Sequence, residues 1–346
     1  MADIALHVGT LIHRGWEEIL ITRDMASLAH SFQVMVTDKW GGLKDRAPIK
    51  PGQSCQLLVD GELLISGYID IVRKNYDAKS HSITIAGRSK AGDLVDCSSE
   101  GITYNQQTLL RLVQLLSEPF GIGVTADVDY GGKFKSASIG GGETFYEFFV
   151  RMAQIRAVFI TSTPTGDLII TRAGRNRIKT ALKLGSNIRS STGHFDHSKR
   201  FSSYLVRSQM DRVIFSAAKE LFQQGLSKDD SIKRHRPTVR ESHYPGSQLE
   251  DKVQADWQRN VAFGLSQEIT YTVSGWRHAD GLWNYNELVP IEDEFMGINE
   301  ALLIRSVEFI LDAQGTRTKL NVVRPELFDL IPLPEPTDDD YFGFSS

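Results

Sequence analysis

The sequence predicts a mainly β protein with a small α+β module in its middle. Three observations carry this expectation. Short alternating apolar runs, separated by turn residues, fill both ends of the chain. Two amphipathic helical segments lie between them. A strand–turn–strand pattern near the start, Ser66 to Arg88, is echoed near the end, from Leu303 to Arg324.

Within residues 1–95 the expected strands are Leu6 to Ile12, Glu18 to Thr22, Ser31 to Val36, Ser54 to Val59, Leu63 to Val72 and Ser82 to Ala86. Trp40-Gly-Gly, Lys50-Pro-Gly, Asp60-Gly61 and Tyr76-Asp-Ala-Lys separate them. Asp-Gly between two such runs is a strong hairpin signal, because a tight hairpin needs positive φ. Short strands at this spacing favour a barrel or a sandwich over a parallel sheet.

The pattern then changes. Thr108 to Pro119 has helical periodicity and stops at a proline. Val124 to Val128 suits a strand. Gly140-Gly-Gly precedes a second amphipathic helix from Glu143 to Arg156. Val158 to Thr161 and Asp167 to Arg172 then form a hairpin around Thr163-Pro-Thr-Gly166. Helix, strand, helix and hairpin make a compact α+β module over 96–175.

β structure returns over 176–330. Strands are expected from His194 to Tyr204, Tyr204 to Met210, Ile269 to Val273 and Leu288 to Ile291. Residues 216–248 read as a solvated excursion with room for a short helix. Asp251 to Leu265 is helical, with Val253, Trp257 and Val261 four apart on one face. The Pro/Asp-rich residues 331–346 cannot pack a core by themselves.

Bulk properties narrow the function. A chain of 346 residues implies two or three domains. A net charge of -4 argues against a dedicated nucleic-acid binder. No apolar run reaches membrane-spanning length, so no membrane insertion is expected. The start of the chain lacks a basic region followed by an apolar stretch, so no secretory signal is expected. Two cysteines, Cys55 and Cys97, read as reduced, partly buried thiols.

Candidate chemistry is sparse. His194-Phe-Asp-His197 is the best metal or catalytic cluster by composition. On a strand, however, His194 and Asp196 share one face and His197 takes the other, so ordinary surface histidines are preferred. Lys233-Arg-His-Arg236 could meet phosphate or anionic lipid, but lacks interleaved aromatics and reads as a solvated loop. Gly140-Gly-Gly142 has no following Lys-Ser/Thr, and Asp338-Asp-Asp340 reads as solvated. Trp276-Arg-His-Ala-Asp-Gly-Leu-Trp283 reads as a hairpin around Asp280-Gly281, with both tryptophans packed on the β core. No catalytic, cofactor-binding or metal-binding residue is expected.

Ser66-Gly-Tyr-Ile-Asp, continued by Ile-Thr-Ile-Ala-Gly-Arg-Ser-Lys-Ala-Gly-Asp-Leu-Val-Asp-Cys97, resembles the N-terminal signature of the baseplate hub proteins of phage Mu and its relatives, the late control D group. Ser274-Gly-Trp-Arg, Asp-Gly-Leu-Trp and Asn-Glu-Leu-Val289 resemble that family's C-terminal barrel segment. The resemblance runs in order to about residue 328. It implies two related β-barrel domains, 1–95 and 176–330, flanking the α+β module. It also implies a homotrimeric ring in the virion of a contractile tail, with a trimeric spike below and a hexameric tail tube above. Other baseplate proteins would be neighbours, DNA only a passing cargo, and host cytoplasm the place of assembly. Hubs of this type are structural, not enzymatic. A related injection or pyocin-type particle is the alternative, and a tail-associated cell-wall hydrolase a remoter one. In the two late hairpins, Tyr68 to Ile85 and Arg305 to Val323, the polar residues Asp70, Arg73, Lys74, Glu308, Asp312 and Lys319 are the candidates to face a channel or a neighbour.

Overall fold

Asp60 and Gly61 both take positive φ, 51° and 81°. They form the two-residue turn whose twist matches that of paired strands. The hairpin they close is one of many in this computed structural model, which describes residues 3–37, 49–77, 81–174, 176–209, 222–241 and 248–328.

The first β region contains β1 (Ile4–Val8), β2 (Leu11–His13), β3 (Glu18–Asp24), β4 (Ser31–Thr37), β5 (Ser54–Val59), β6 (Glu62–Tyr76), β7 (His81–Ser89) and the one-turn helix α1 (Gly92–Asp96). The module follows with β8 (Ile102–Gln107), α2 (Leu109–Ser117), a 3-10 turn at Glu118–Phe120, β9 (Val124–Ala126), β10 (Phe134–Ile139), α3 (Phe145–Ile155), β11 (Phe159–Ser162) and β12 (Leu168–Thr171). Then come β13 (Asn176–Arg177), β14 (Leu182–Lys183), β15 (Ile188–Phe195), β16 (Ser203–Gln209), β17 (Phe222–Lys228), β18 (Pro237–Glu241), α4 (Gln248–Leu265), β19 (Gln267–Ser274), β20 (Arg277–His278), β21 (Gly281–Leu282), β22 (Glu287–Asp293), β23 (Ile298–Asp312), β24 (Gly315–Val323) and a 3-10 turn at Pro325–Phe328.

The chain divides into two compact units. The larger holds Met1–Ala153, Val158–Thr192 and Thr270–Val322. Its backbone is a sheet in the order β15-β19-β24-β23-β3-β4-β7-β6-β5-β1-β2, with β22 beside β23. β6 and β23 are both 15 residues long, and β7 and β24 both nine. The order β3-β4-β7-β6-β5 is repeated as β15-β19-β24-β23-β22. Long strands serve more than one partner, and β23 also holds β24. β6 gives its first part to β5 and its second to β7, while β23 gives 298–303 to β22 and 306–311 to β3. That last pairing welds the two copies into one open sheet; no closed barrel forms among the described strands.

Alternation builds the core. Ile19, Ile21, Phe32, Val34, Ile85, Val307 and Phe309 are buried on one face of this sheet, while Glu18, Leu20 and Gln33 point to the other. Trp276 packs on Phe309, at 5.5 Å between ring centroids, and its Nε1 donates to the Ile310 carbonyl at 3.0 Å. Trp283 is buried against His278. The turn between β20 and β21 is Ala279-Asp280, one residue earlier than expected.

In the module, Thr108 caps α2 by accepting from the Arg111 N–H. Leu109, Leu112, Val113 and Leu116 form its buried stripe. Thr144 and Glu147 form a reciprocal capping box at α3: the Glu147 N–H donates to Thr144 Oγ1 and the Thr144 N–H to Glu147 Oε2.

The smaller unit holds Gln154–Ala157, Gly193–Ile269 and Val323–Ser346. In it β16 pairs antiparallel with β17 and parallel with β18, and α4 packs across β17 and β16. Gly225 permits this: a Cβ there would fall 2.1 Å from the backbone of Asp251 and Lys252.

Several expectations are corrected. The strand expected from Leu6 to Ile12 is broken by a turn at Gly9, φ 60°, into β1 and β2. The strand expected from His194 to Tyr204 ends at Phe195. Asp196 there accepts from both the backbone and the hydroxyl of Ser198 and turns the chain. The excursion expected over 216–248 contains β17 and β18, and α4 begins at its end. β8 and β10 were not expected at all. The turn at Trp40, the stretch 216–221 and the 331–346 tail lie outside the described residues.

Candidate assembly surface

Residues paired across neighbouring antiparallel strands share a face. The pairs Ile310–Leu20, Leu20–Gln33, Gln33–Ala86 and Ala86–Ile71 therefore make one row across four strand boundaries. Glu18, Met35, Thr84 and Arg73 make the next row. Glu308, Thr22, Ser31, Arg88 and Tyr68 make the row on the other side. This is the wet face of the sheet in the larger unit.

Five of the six expected hairpin residues are on it. Asp70 is the extra residue of a bulge between Ile69 and Ile71, and its carboxylate accepts from Arg88 Nε at 2.8 Å. Arg88 also reaches Asp96, at 2.6 Å. Hydrogen bonding to Arg88 holds the Asp96 carboxyl below the usual carboxylate range, and the two acids hold the Arg88 guanidinium up. Glu308 meets Lys319 at 3.6 Å. Asp312 accepts from Arg317 at 2.7 Å, which lowers its pKa. Glu18, Leu20, Met35, Glu308, Asp312 and Lys319 line one shallow depression. Arg73 stands exposed in its row. Lys74 alternates to the opposite side of β6 and is also exposed. Arg88 and Arg317, which complete two of the ion pairs, were not singled out in the sequence. Their spacings to the acids, 18 and five residues, are meaningful only once the hairpin pairing is known.

Acids and bases alternate along the face, and the Glu308–Lys319 pair sits in the open depression. No group of three or more His, Cys, Asp or Glu could hold a metal among the described residues. In the smaller unit, Asp196 turns the backbone, and His197 Nε2 lies 3.2 Å from an Arg200 nitrogen. Arg236, from the basic run, stacks on Phe201 and donates to the Ser198 carbonyl. Cys55 is buried, which pushes its thiol up to about 12; Cys97 is exposed rather than partly buried.

Sequence reading missed one buried polar cluster. His30 Nε2 lies 3.2 Å from the Tyr285 hydroxyl, which donates to the Ser162 carbonyl at 2.7 Å. Arg23 lies over the Tyr285 ring at 4.9 Å. Burial, with the Arg23 charge, drives His30 down to about 3 and keeps it neutral; burial raises Glu287 to about 7. The cluster ties β3 and the turn after it to β11 and to the start of β22. No hydrophobic pattern signals it, because Arg23 occupies an inward position of a regular strand.

Comparison with known proteins decides the family. Residues 3–89 match the family described as Mu phage baseplate assembly protein GpP-like, N-terminal. Residues 91–172 match the baseplate hub protein gp44-like second domain, and 247–331 the GpP fourth domain. A 43 kDa tail protein of prophage MuSo2 from Shewanella oneidensis is 34% identical, with a TM-score of 0.84 over 94% of this chain and 99% of that one. The chain belongs to the Mu-type baseplate hub family. Baseplate hub protein gp44 of Escherichia phage Mu is 28% identical over 95% of this chain and 89% of its own length. An Escherichia coli component of the type VI secretion system, described as similar to phage T4 tail proteins gp27 and gp5, shares the fold. It has 9% identity and a TM-score of 0.56 over 96% of this chain and 80% of that one. As a Mu-type hub, this chain is a component of a phage tail baseplate.

Proposed function

We propose that this hub protein forms a homotrimeric ring that adapts a trimeric spike to a hexameric tail tube in a contractile tail. The observation that carries the reading is the repeated strand order, β3-β4-β7-β6-β5 and β15-β19-β24-β23-β22. Three chains with two copies each present six similar elements about one axis, which satisfies a threefold neighbour and a sixfold one. In this reading each copy is the sheet of one barrel domain, and domains 1–95 and 176–330 flank the module of 96–175. The wet face bearing Asp70, Arg73, Glu308, Asp312 and Lys319 lines the channel. Its alternating charges suit a passage for DNA, because no basic stripe would hold the phosphates. The role is structural rather than enzymatic, and assembly takes place in the host cytoplasm before the virion forms.

Light scattering on the purified chain tests this. A mass three times that of the chain is expected. A species that stays monomeric as concentration rises would overturn it. The fold shared with a type VI secretion component favours one alternative, a hub of a related contractile injection or pyocin-type particle. Such a hub would trimerise in the same way. Isolation of the chain from particles that carry no DNA would favour it.

A further inference from the structure

We propose that the outer edge of β6, over 71–76, pairs antiparallel with β15, over 188–192, of a second copy of this chain. This rests on the ring reading above and names the joint that closes the ring. Within the chain the two sheet copies already meet once: the long strand of the second copy, β23, uses 306–311 to hold β3, the first strand of the first copy. Set Asp77-Ala78 against Asp312-Ala313, and residues 71–76 of the other long strand, β6, fall on 306–311.

That edge of β6 holds nothing among the described residues. β5 stops pairing at Tyr68, and the last backbone bonds on that side are those of Ile69 to Gly52 and Gln53. The first strand of the second copy, β15, ends the sheet and, among the described residues, pairs with β19 alone. Both segments lack a buried residue: Ile71 is 50% and Tyr76 82% exposed, and 188–192 are exposed or half-buried throughout. By contrast β3, which occupies the equivalent internal place, alternates cleanly with buried Ile19, Ile21 and Arg23. Each chain thus carries one open long-strand edge and one open first-strand edge.

A row of unpaired N–H and C=O groups is a template for strand addition, and proteins that remain alone usually cover or break it. Here the bulge at Asp70 lies just before the pairing segment, and no proline interrupts either strand. The two edges differ, so the contact is heterologous and propagates by rotation. Three such joints between chains alternate with the three β23–β3 joints inside them. Six sheet copies then close one annulus.

The test is photo-crosslinking in the full chain, with light scattering on the same sample. Tyr76→p-benzoylphenylalanine is expected to give covalent dimers and trimers whose linked peptide contains 188–192. Ser190→p-benzoylphenylalanine is expected to link to 71–76. A trimer whose crosslinks from both positions map elsewhere overturns the joint and leaves the ring standing. A sample that scatters only as monomer overturns the ring and the joint together.

Discussion

Arg200 and Asp229 lie 2.6 Å apart with side chains 5% and 8% exposed, and Arg200 also stacks on Phe263. Removing one partner strands the other charge. Arg200→Ala is therefore expected to cost about 3–5 kcal/mol in urea unfolding, against about 1 kcal/mol or less for the half-exposed Lys319–Glu308 pair. The Asp229 carboxyl is held below its usual range by Ser231 and Arg200, although burial alone would raise it. Its folded pKa lies below its unfolded one, so the contribution is complete above about pH 4 and fades as pH falls further. The gap between wild type and Arg200→Ala should narrow on acidification over that window. Thiol labelling gives a second expectation. Cys97 should react in the native protein, and Cys55 only on unfolding, because the reactive thiolate is suppressed by burial. Equal native rates would contradict the packing. At this scale the sequence was partly legible. Asp70 and Asp312 stood out as polar residues on alternating strands, but their partners Arg88 and Arg317 are defined by pairing across a hairpin, which composition does not reveal.

Hairpins and helices show what local chemistry can and cannot specify. Asp60-Gly61 was readable because its turn type demands positive φ at both positions. Gly61→Val should cost about 1–2 kcal/mol by thermal unfolding, since a β-branched residue resists that conformation. The helix expected from Glu143 was readable by its periodicity, whereas the Thr144–Glu147 capping box at its start was recognised only in the structure. β17 was unreadable for the opposite reason. Its central Gly225 and neighbouring polar residues look like loop, yet the glycine is what lets α4 lie directly on the strand. Gly225→Ala should destabilise by about 1–3 kcal/mol and raise hydrogen exchange in α4 first. Unchanged exchange there would show that α4 does not depend on this contact.

For the whole molecule, the duplication is the main feature, and the sequence carried it only as a weak echo. Two physical facts hide it. The first copy joins β3 to β4 through residues 25–30, whereas the second places 196–266 between β15 and β19. Strand order is also a property of pairing, not of residue identity, so two copies can keep it while their side chains diverge. The late hairpins survived as a pattern because their lengths match, 15 and nine residues in both copies. The expected barrels were not legible in the same way: β3–β23 pairing joins the regions into one sheet whose ends pair with no further strand among the described residues. Open ends of that kind call for neighbours. End-on electron micrographs of the purified protein test the resulting ring most directly. The expected image is a closed annulus with threefold symmetry and six similar lobes around a central hole. Isolated single-chain particles, or an assembly lacking a threefold axis, would contradict it.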